Sequence, residues 1–323
     1  MVKAVRIHET GGPEVLRFEE IALGAPGTGQ ARIRHRAIGL NFIDIYYRKG
    51  YYADALPHGL GMEAAGVVEA LGPDVSGFAV GDRVAYATGL GAASEAANVP
   101  AAALVKLPSS ITDETAAAMM LKGMTAEYLL HRTYAVKRGE TIMFFAAAGG
   151  VGAIACQWAS RGLGATVIGV VGSEAKEAEA RAQGCAHVLV MGKDDIVARV
   201  KAITNGVGVA AVYDSIGKDT FEISLDCLKQ RGILVGFGSS SGAASGITMD
   251  MLSKNGTYLT RPRLGQYIGT RAELEASAKA LFDVVAAGTV KIEIRRRYAL
   301  KDIALAHRDL ETRKTTGASI LIP

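Results

Sequence analysis

Residues 146–152 read Ala-Ala-Ala-Gly-Gly-Val-Gly, and they stand between a predicted strand at 141–147 and a predicted helix at 151–161. A dinucleotide pyrophosphate is held by a tight turn without Cβ atoms, by outward-pointing backbone N–H groups and by the N-terminus of the following helix. The three glycines of this stretch fit that need. The spacing departs from G-x-G-x-x-G because an alanine takes the first glycine position, so an ordinary strand–helix turn is the alternative interpretation.

The pattern on either side of this turn favours the nucleotide-binding interpretation. Short apolar runs alternate with helical patterns from about residue 140 to residue 237. The predicted strands are 141–147, 166–171, 187–190, 210–214 and 233–237, and the predicted helices are 151–161, 174–183, 194–204 and 220–229. Strands that alternate with helices in this way need right-handed crossovers. They predict an α/β fold with a doubly wound parallel sheet of the Rossmann type.

The end of the second predicted strand decides which dinucleotide the site would take. A site for NAD usually has an acidic side chain there, which binds the ribose 2′-OH. Here Gly172 leaves room for a 2′-phosphate, Ser173 can donate a hydrogen bond to it, and Lys176 can supply positive charge. We therefore interpret the site as one for NADPH. Glu174 argues against this if its side chain turns inward, and Lys176 is equally consistent with an ordinary solvated helix lysine.

Two further loops fall at the carboxyl ends of predicted strands, where open α/β sheets bind ligands. They read Asp214-Ser215-Ile216-Gly217 and Phe237-Gly238-Ser239-Ser240. Their small residues allow a ligand to approach the backbone closely, although short turns have the same composition.

The first 110 residues have a different pattern, with short alternating runs separated by turns that contain glycine and proline. The runs are 3–7, 32–38, 65–71, 83–87 and 104–107. They predict an antiparallel, barrel-like unit. A helix should follow Thr112, a good N-cap, and Gly123 should separate it from a second helix at 125–134. A helix at 271–287 and β-like runs at 291–294 and 319–322 should return to this first unit.

Composition and charge narrow the function classes. Of the 323 residues, 49% are hydrophobic and 21% are charged, as is typical of a globular protein. The net charge of +4 is small and dispersed, which disfavours a nucleic-acid partner. The three cysteines have no paired spacing, and no apolar run reaches the roughly 20 residues that cross a membrane. We therefore expect a cytoplasmic protein with no membrane partner.

The positions of the cysteines and histidines argue against a metal centre, and the sequence shows no motif for a covalent nucleophile. Cys156, Cys185 and Cys227 lie far apart in sequence, and the six histidines form no H-x-x-x-H pattern. A structural zinc site needs four ligands at short spacing, which this chain does not offer. The chain also lacks a G-x-S-x-G elbow. We predict that no metal is used and that a bound cofactor supplies most of the chemistry.

Several motifs occur in order and together resemble one family. They are Gly11-Gly12-Pro13-Glu14-Val15-Leu16, Asn41-Phe42-Ile43-Asp44, Gly61-Met62-Glu63-Ala64-Ala65-Gly66, Gly81-Asp82-Arg83-Val84, Ala147-Ala148-Gly149-Gly150-Val151-Gly152, Tyr213-Asp214-Ser215 and Arg313-Lys314-Thr315-Thr316-Gly317-Ala318. This set resembles the zinc-free NADPH:quinone oxidoreductases (zeta-crystallin-like) of the medium-chain dehydrogenase/reductase superfamily, nearly from end to end. Zinc-dependent relatives have Cys and His where Asn41 and Met62 stand, so the resemblance implies a site without zinc.

The resemblance also implies a domain organisation and an assembly. It implies a GroES-like, partly open β-barrel domain at 1–122 and 263–323, with a Rossmann NADPH-binding domain at 123–262 between the two parts. Homodimers are implied, formed by edge pairing of the Rossmann sheets.

Site residues carry over from the family position by position. The candidates for catalysis are Asn41, Tyr46 and Tyr52. The residues that the family places at the cofactor are Phe42, Lys122, Thr125, Tyr128, Gly149, Gly150, Val151, Gly172, Ser173, Lys176, Met191, Ser215, Phe237, Gly238, Ser239, Ser240, Arg261 and Arg313. Met191 departs from bacterial relatives, which have a tyrosine near this position beside the adenine, so we expect a different affinity for NADPH.

Together these features predict an enzyme that transfers a hydride directly from C4 of NADPH to a quinone or another small electrophilic acceptor. The protein would align the reactants, and the quinol proton would come from water or from Tyr46. Asn41 can polarise the acceptor or serve only as a turn residue. Tyr51 and Tyr52 can form flat walls over the quinone or be ordinary surface aromatics.

Two other functions remain open at this point. The same cofactor site would suit a reductase of activated C=C bonds. A non-catalytic protein that binds NADPH or RNA is the third candidate, but RNA binding needs a clustered basic face, and Arg295-Arg296-Arg297 is a short run.

Overall fold

The structure is a computed structural model that describes residues 1–312 and 315–323. The chain divides into two compact units. The first comprises Met1–Met124, Ile268–Phe282 and Ile292–Pro323, and the second comprises Thr125–Tyr267 and Asp283–Lys291. These divisions lie close to the boundaries expected at 122/123 and 262/263, and they add residues 283–291 to the second unit.

The strands and helices are numbered in chain order. The strands are β1 Val2–Ile7, β2 Leu16–Ile21, β3 Gln30–Gly39, β4 His58–Gly59, β5 Ala64–Leu71, β6 Arg83–Tyr86, β7 Ala96–Pro100, β8 Val105–Lys106, β9 Thr141–Phe145, β10 Thr166–Val171, β11 His187–Val190, β12 Val209–Asp214, β13 Leu228–Gly236, β14 Tyr258–Thr260, β15 Ile294–Ala299 and β16 Ala318–Ile322. The helices are α1 Phe42–Arg48, α2 Asp113–Tyr128, α3 Gly150–Gln157, α4 Glu177–Ala182, α5 Ile196–Ile203, α6 Phe221–Cys227, α7 Met249–Ser253, α8 Arg271–Ala286 and α9 Ile303–Glu311.

The first unit is mainly antiparallel. In its smaller sheet β1 pairs with β2 and with β4, and its larger sheet follows the order β15-β16-β3-β5-β6-β8, with β7 also paired to β3. Alternate side chains enter the core; Ile33 of β3, Val68 of β5 and Val84 of β6 are almost fully buried. The period-two alternation of the sequence therefore predicts the antiparallel character of this unit, because each strand buries one face, although β2, β4 and β7 were not predicted.

The second unit is built on a parallel sheet in the order β11-β10-β9-β12-β13-β14. Its core is formed by aliphatic and aromatic side chains such as Met143, Phe145, Ile168 and Val212. The strand order reverses between β9 and β12, so the loops that follow these strands diverge at the carboxyl edge. This is the predicted Rossmann sheet, extended by β14, which the sequence analysis missed.

Gly123 does not divide the helix, contrary to the prediction. α2 runs unbroken from Asp113 to Tyr128 and continues as a π-helical segment, Leu129–Thr133. A Cβ at Gly123 would lie 2.4 Å from Leu281 Cδ1 of α8. Glycine therefore allows two helices to approach closely here, and helix propensity is overridden by packing.

Two other predicted elements are wrong in their limits. The strand expected at 291–294 is β15, Ile294–Ala299, so the three arginines at 295–297 lie inside a strand that pairs with β16. The helix expected at 220–229 ends at Cys227, and Leu228 already begins β13. In both places the strand ladder, which is not visible in local propensity, fixes the limits.

A buried ionic contact fixes the C-terminal end of α1. The fully buried guanidinium of Arg48 donates to Glu311 Oε2 at 2.7 Å and to the carbonyl of Gly11 at 3.1 Å. Its Nη1 also lies 3.1 Å from His307 Nδ1. Burial, aided by the charge of Arg48, lowers the pKa of His307 to about 3, so this imidazole is neutral and can accept the hydrogen bond. The helix that carries several candidate site residues is thus held against α9.

Candidate active site

The glycine turn after β9 forms the N-terminus of α3 in the second unit. Gly149 is the N-cap, with extended backbone, and its N–H donates to the carbonyl of Ala146 at 2.8 Å. A Cβ at Gly152 would lie 2.4 Å from that same carbonyl oxygen, so the first turn of α3 packs directly on the loop. Ala146 itself has φ of 52°, a left-handed conformation that costs a non-glycine residue about 1 kcal/mol or more. The turn is compact, and the N–H groups of the first turn of α3 have no partners within the helix.

The carboxyl end of β10 carries the residues expected at a 2′-phosphate. Ser173 is the N-cap of a short 3-10 helix, Glu174–Lys176, and its carbonyl accepts the N–H of Lys176 at 3.1 Å. A Cβ added to Gly172 would meet no atom within 4 Å, so the space beside this residue is open. Met191 follows the neighbouring strand, donates its N–H to Val171 at 2.9 Å and packs against the core of the sheet. Gly172, Ser173, Lys176 and Met191 therefore lie along one edge.

Asp214 shapes the loop after β12. Its buried carboxylate accepts hydrogen bonds from the N–H groups of Ile216 and Gly217 at 2.7 and 3.1 Å and from the hydroxyls of Thr220 and Ser224 at 2.7 and 3.0 Å. Four donors satisfy the carboxylate and hold the turn rigid. Asp214 is thus a structural residue; the sequence places it in a strand-end loop and in the Tyr213-Asp214-Ser215 motif but does not reveal this role.

The loops after β12 and β13 pack against each other. A Cβ at Gly238 would lie 2.5 Å from the carbonyl oxygen of Ser215, and Ser240 donates its N–H to that oxygen at 3.2 Å. The ring of Phe237 lies 5.5 Å from that of Phe144, and Ser239 is buried. The structure therefore brings Ser215 and the predicted segment 237–240 together.

Arg261 closes this group of loops. Its Nη1 donates to the carbonyls of Gly236 and Gly238 at 3.1 and 2.7 Å. Tyr128 of α2 stacks on Tyr267 with ring centroids 4.4 Å apart. The positive charge of Arg261 acts on the Tyr128 hydroxyl and favours its ionised form. Burial nevertheless raises the pKa of Tyr128 strongly, so the phenol remains protonated. Thr125, also buried, lies one turn earlier on α2. Tyr267 was not predicted, and no sequence motif marks it.

In the first unit, Asn41, Glu63 and Lys122 form a buried polar cluster. Asn41 is the N-cap of α1, directly after β3, and Lys122 lies on α2. The Glu63 Oε1 accepts Asn41 Nδ2 at 2.8 Å and Lys122 Nζ at 2.6 Å, while its Oε2 accepts the N–H of Leu121 at 2.6 Å. Glu63 is completely buried, and the other two side chains are nearly so. The cluster fixes the orientation of the Asn41 amide, because one of its donors is committed to Glu63.

Asp44 is a second buried carboxyl group beside this cluster. Its Oδ2 accepts the backbone N–H of Asn41 at 2.9 Å, whereas Oδ1 has no hydrogen-bond partner among the described residues. Burial raises the pKa of Asp44 to about 7, although the Asn41 N–H and the charge of Lys122 act in the opposite direction. Near neutral pH this group exchanges a proton within the unit that holds Asn41.

An aromatic cluster surrounds the start and end of α1. The Tyr46 ring lies 5.3 Å from Phe42, 5.3 Å from Tyr51 and 5.5 Å from Tyr52. Tyr51 is exposed, and Tyr52 is half-buried. The predicted residues Phe42, Tyr46 and Tyr52 therefore belong to one surface that is apolar on its faces and polar at its hydroxyl groups.

The structure thus gathers the predicted residues into groups within each unit. Phe42, Tyr46 and Tyr52 lie together, as do Asn41 and Lys122, in the first unit. The remaining predicted residues that the structure describes lie in the second unit, Thr125 and Tyr128 on α2 and the others in or beside the loops that follow the strands. Arg313 lies outside the described residues. Glu63 and Asp44 were missed as site residues, although both stand inside motifs that the sequence analysis quoted.

The part of the chain that the structure describes contains neither a metal-binding cluster nor a membrane-spanning helix. In residues 1–312 and 315–323, no three His, Cys, Asp or Glu side chains are placed so that they could hold a metal ion. Within the same residues, no helix is long and apolar enough to cross a membrane.

Two family models match the chain. Residues 27–109 match the alcohol dehydrogenase GroES-like domain, and residues 150–283 match the zinc-binding dehydrogenase model. These matches fall on the antiparallel unit and mainly on the parallel-sheet unit, respectively. They agree with the GroES-like and Rossmann assignments made from the sequence.

Similar proteins cover the whole chain. A quinone oxidoreductase of Pseudomonas aeruginosa is 49% identical, with all of both chains covered. The solved structure of an Escherichia coli quinone oxidoreductase complexed with NADPH is 46% identical, with a TM-score of 0.97 over 99% of this chain and 100% of that one. A 2-haloacrylate reductase of Burkholderia is 44% identical over 100% of this chain and 99% of its own. The chain therefore belongs to the quinone oxidoreductases of the medium-chain dehydrogenase/reductase superfamily.

Proposed function

We propose that this protein is an NADPH-dependent reductase that passes a hydride directly to a quinone without a metal ion. The observation that carries the proposal is full-length similarity to a quinone oxidoreductase solved with NADPH, in a chain that retains the compact glycine turn at the N-terminus of α3. When bound, NADPH supplies the hydride from C4 of its nicotinamide ring.

The second unit has the features that NADPH needs. Gly149, Gly150 and Val151 would hold the pyrophosphate through backbone N–H groups, and the dipole of α3 favours this anion. Ser173 and Lys176 would hold the 2′-phosphate beside the open space at Gly172. The residues assigned to the adenine and nicotinamide portions are Met191, Thr125, Tyr128, Ser215, Phe237, Gly238, Ser239, Ser240 and Arg261. Phe42, Lys122 and Arg313 complete the assignment.

Asn41 would orient the quinone. Its amide nitrogen carries two hydrogens, and the one that Glu63 does not take can donate to a carbonyl oxygen of the acceptor. Negative charge develops on that oxygen during hydride addition, so a fixed donor stabilises the transition state more than the ground state. Lys122 balances the charge of Glu63, which keeps the Asn41 side chain in place.

The aromatic cluster would supply the flat surface against which a quinone ring packs. Tyr46 and Tyr52 lie edge to face, so their rings offer apolar walls at a right angle. The Tyr46 hydroxyl, or a water molecule, would deliver the proton that completes the quinol. These are the roles we assign to the two tyrosines.

Two properties of the whole protein belong to the same proposal. Among the described residues, β14 pairs with β13 on one side only, which leaves an edge to which a second copy of the sheet could add. We infer a homodimer formed through that edge. The three cysteines are free and buried, which is consistent with a reducing, cytoplasmic environment.

Stopped-flow measurement of NADPH oxidation at 340 nm with 1,4-benzoquinone tests the proposal. The wild-type protein should accelerate oxidation well beyond the uncatalysed rate. Asn41→Ala should reduce kcat by about a hundredfold, the usual cost of removing one donor to a developing oxyanion. Asn98→Ala is the matched control and should leave kcat unchanged, because Asn98 lies on β7 and donates its amide N–H to the carbonyl of Gly24, away from the predicted site residues.

Two results would contradict the assignment. No acceleration at saturating protein would exclude quinone reduction. Turnover of 2-chloroacrylate, or of a simple enone, without turnover of the quinone would select a C=C reductase instead.

A further inference from the structure

A lysine that the sequence analysis did not consider contacts the one acidic residue that argued against NADPH. The Nζ of Lys193 binds Glu174 Oε1 at the carboxyl edge of the parallel sheet. Both side chains remain accessible, at 60% and 62% exposure, so a ligand can reach them. The contact therefore lies beside the proposed cofactor rather than within the core.

The sheet itself brings the two residues together. Val171 and Val190 are register partners at the ends of β10 and β11. After β10 the chain turns through Ser173 into the 3-10 helix that begins with Glu174. After β11 it makes a tight turn in which Gly192 has φ of 77° and Lys193 donates its N–H to the carbonyl of Val190. Both side chains therefore emerge at the edge where the ribose of a dinucleotide lies.

Charge at this edge depends on Lys193. Glu174, Glu177 and Asp194 all act on its ammonium group, and the hydrogen bond to Glu174 is the first of several causes that raise the pKa of Lys193. Asp194 is already committed, because its Oδ2 accepts the N–H of Val190 at 2.7 Å. Glu174 directly follows Ser173 and begins the 3-10 helix, so it is the carboxylate nearest in sequence to the proposed 2′-phosphate contacts.

We propose that Lys193 is a specificity residue for NADPH over NADH, acting by holding the Glu174 carboxylate in an ion pair and by adding positive charge beside the 2′-phosphate. This inference rests on the proposed function for the identity of the cofactor. An acidic group at the end of the second strand ordinarily selects NAD, because it accepts from the ribose 2′-OH and repels a phosphate there. In this chain the carboxylate of Glu174 is present, and the ammonium group of Lys193 neutralises its charge.

Such an exposed ion pair contributes little to the stability of the folded protein, but it can change the affinity for a charged ligand considerably. A 2′-phosphate carries close to two negative charges, so a neighbouring lysine attracts it and an unpaired glutamate repels it. Removing Lys193 therefore removes the attraction of the lysine for the phosphate and also leaves Glu174 free to repel it. In a chain that already lacks the Glu174 charge, removing Lys193 removes only the attraction.

Binding of adenosine 2′,5′-bisphosphate and adenosine 5′-monophosphate, measured by calorimetry, tests this without turnover. These probes differ only in the 2′-phosphate, so the ratio of their Kd values isolates its contribution. Lys193→Ala should reduce the preference for the bisphosphate by about tenfold. In the Glu174→Gln background the same change should reduce it by only about threefold. Lys254→Ala is the matched control, because Lys254 forms an exposed pair with Asp226 in the same unit.

The outcomes separate this inference from the proposed function. A preference unchanged within about twofold in Lys193→Ala, or equal effects of that change in both backgrounds, would overturn the role of the pair. A wild-type protein with no preference for the bisphosphate would overturn it as well. If the preference behaves as expected but no quinone is reduced, the inference stands and the proposed acceptor is wrong.

Discussion

Replacing Asp44 by asparagine should stabilise the protein, and the gain should grow as the pH rises from 5 to 8. The carboxyl group is buried, and its pKa is raised from 3.8 to about 7 in the folded state. The folded protein therefore holds a proton that the unfolded chain releases between these values. Unfolding free energy falls as the pH rises through this window and becomes level above it.

The size of the effect follows from the two pKa values. Because proton binding is linked to folding, the ionisable carboxyl of Asp44 lowers the free energy of unfolding relative to a neutral group at the same position. The reduction is about 1.5 kcal/mol at pH 5 and about 4 kcal/mol at pH 8. The advantage of Asp44→Asn should therefore grow by about 2.5 kcal/mol over this range. Asparagine retains an oxygen that can accept the N–H of Asn41, so the N-terminus of α1 keeps its hydrogen bond.

Urea unfolding followed by circular dichroism, at constant ionic strength and at unit steps from pH 5 to pH 8, measures this difference. Other titrating groups contribute equally to both proteins and cancel. Asp54→Asn is the control, because Asp54 is exposed and contacts only the next N–H among the hydrogen bonds that the structure describes. A difference between wild type and Asp44→Asn that does not change with pH would refute the reasoning.

Three further variants test packing and charge. Gly123→Ala should cost about 1–3 kcal/mol in urea unfolding because its methyl group meets Leu281, and the same change should cost clearly less in a Leu281→Ala background, where that contact is gone. Lys122→Met should lower the free energy of unfolding by about 3–5 kcal/mol, because it leaves the buried Glu63 carboxylate without its cation. Adding Glu63→Gln should recover most of this loss, and no recovery would contradict the ion-pair explanation. Gly152→Ala should weaken NADPH binding about tenfold in a fluorescence titration, because the added Cβ overlaps the carbonyl oxygen of Ala146 in the glycine turn. An unchanged Kd would show that the turn adjusts to the methyl group without loss of binding.

The parallel sheet and its glycine turn could be predicted from the sequence because their signals are local. Apolar runs such as Thr166–Val171 are buried on both faces, and glycines mark the ends where the chain must turn. β14 escaped prediction because three residues carry no periodicity, and it exists only through its pairing with β13. Gly123 was misread for a related reason, since the packing of another helix, α8, determines its role.

The polar centre of the first unit could be predicted only in part. Asn41 and Lys122 were expected near the cofactor, but nothing in the sequence joins them to Glu63, which lies on a different segment. A buried carboxylate that orients an amide becomes visible only when strand pairing and helix packing bring the three residues together. The same holds for Lys193, whose partner stands 19 positions earlier and meets it through the register of β10 and β11.

The pairing of β16 with β3 has a consequence for how the protein is made. Ile320 and Leu321 pair with Gly39 and Ile38, and Leu40 donates its N–H to Ser319. The backbone just before Asn41 is therefore completed by a strand that leaves the ribosome only after the whole parallel-sheet unit. That unit can fold during synthesis, while the end of β3 at Ile38 and Gly39, a stretch that β7 does not cover, still lacks its partner β16. The backbone that leads into α1 therefore takes its final pairing only when β16 has been made, and nascent chains that stall before β16 would leave this end of β3 unpaired on one side.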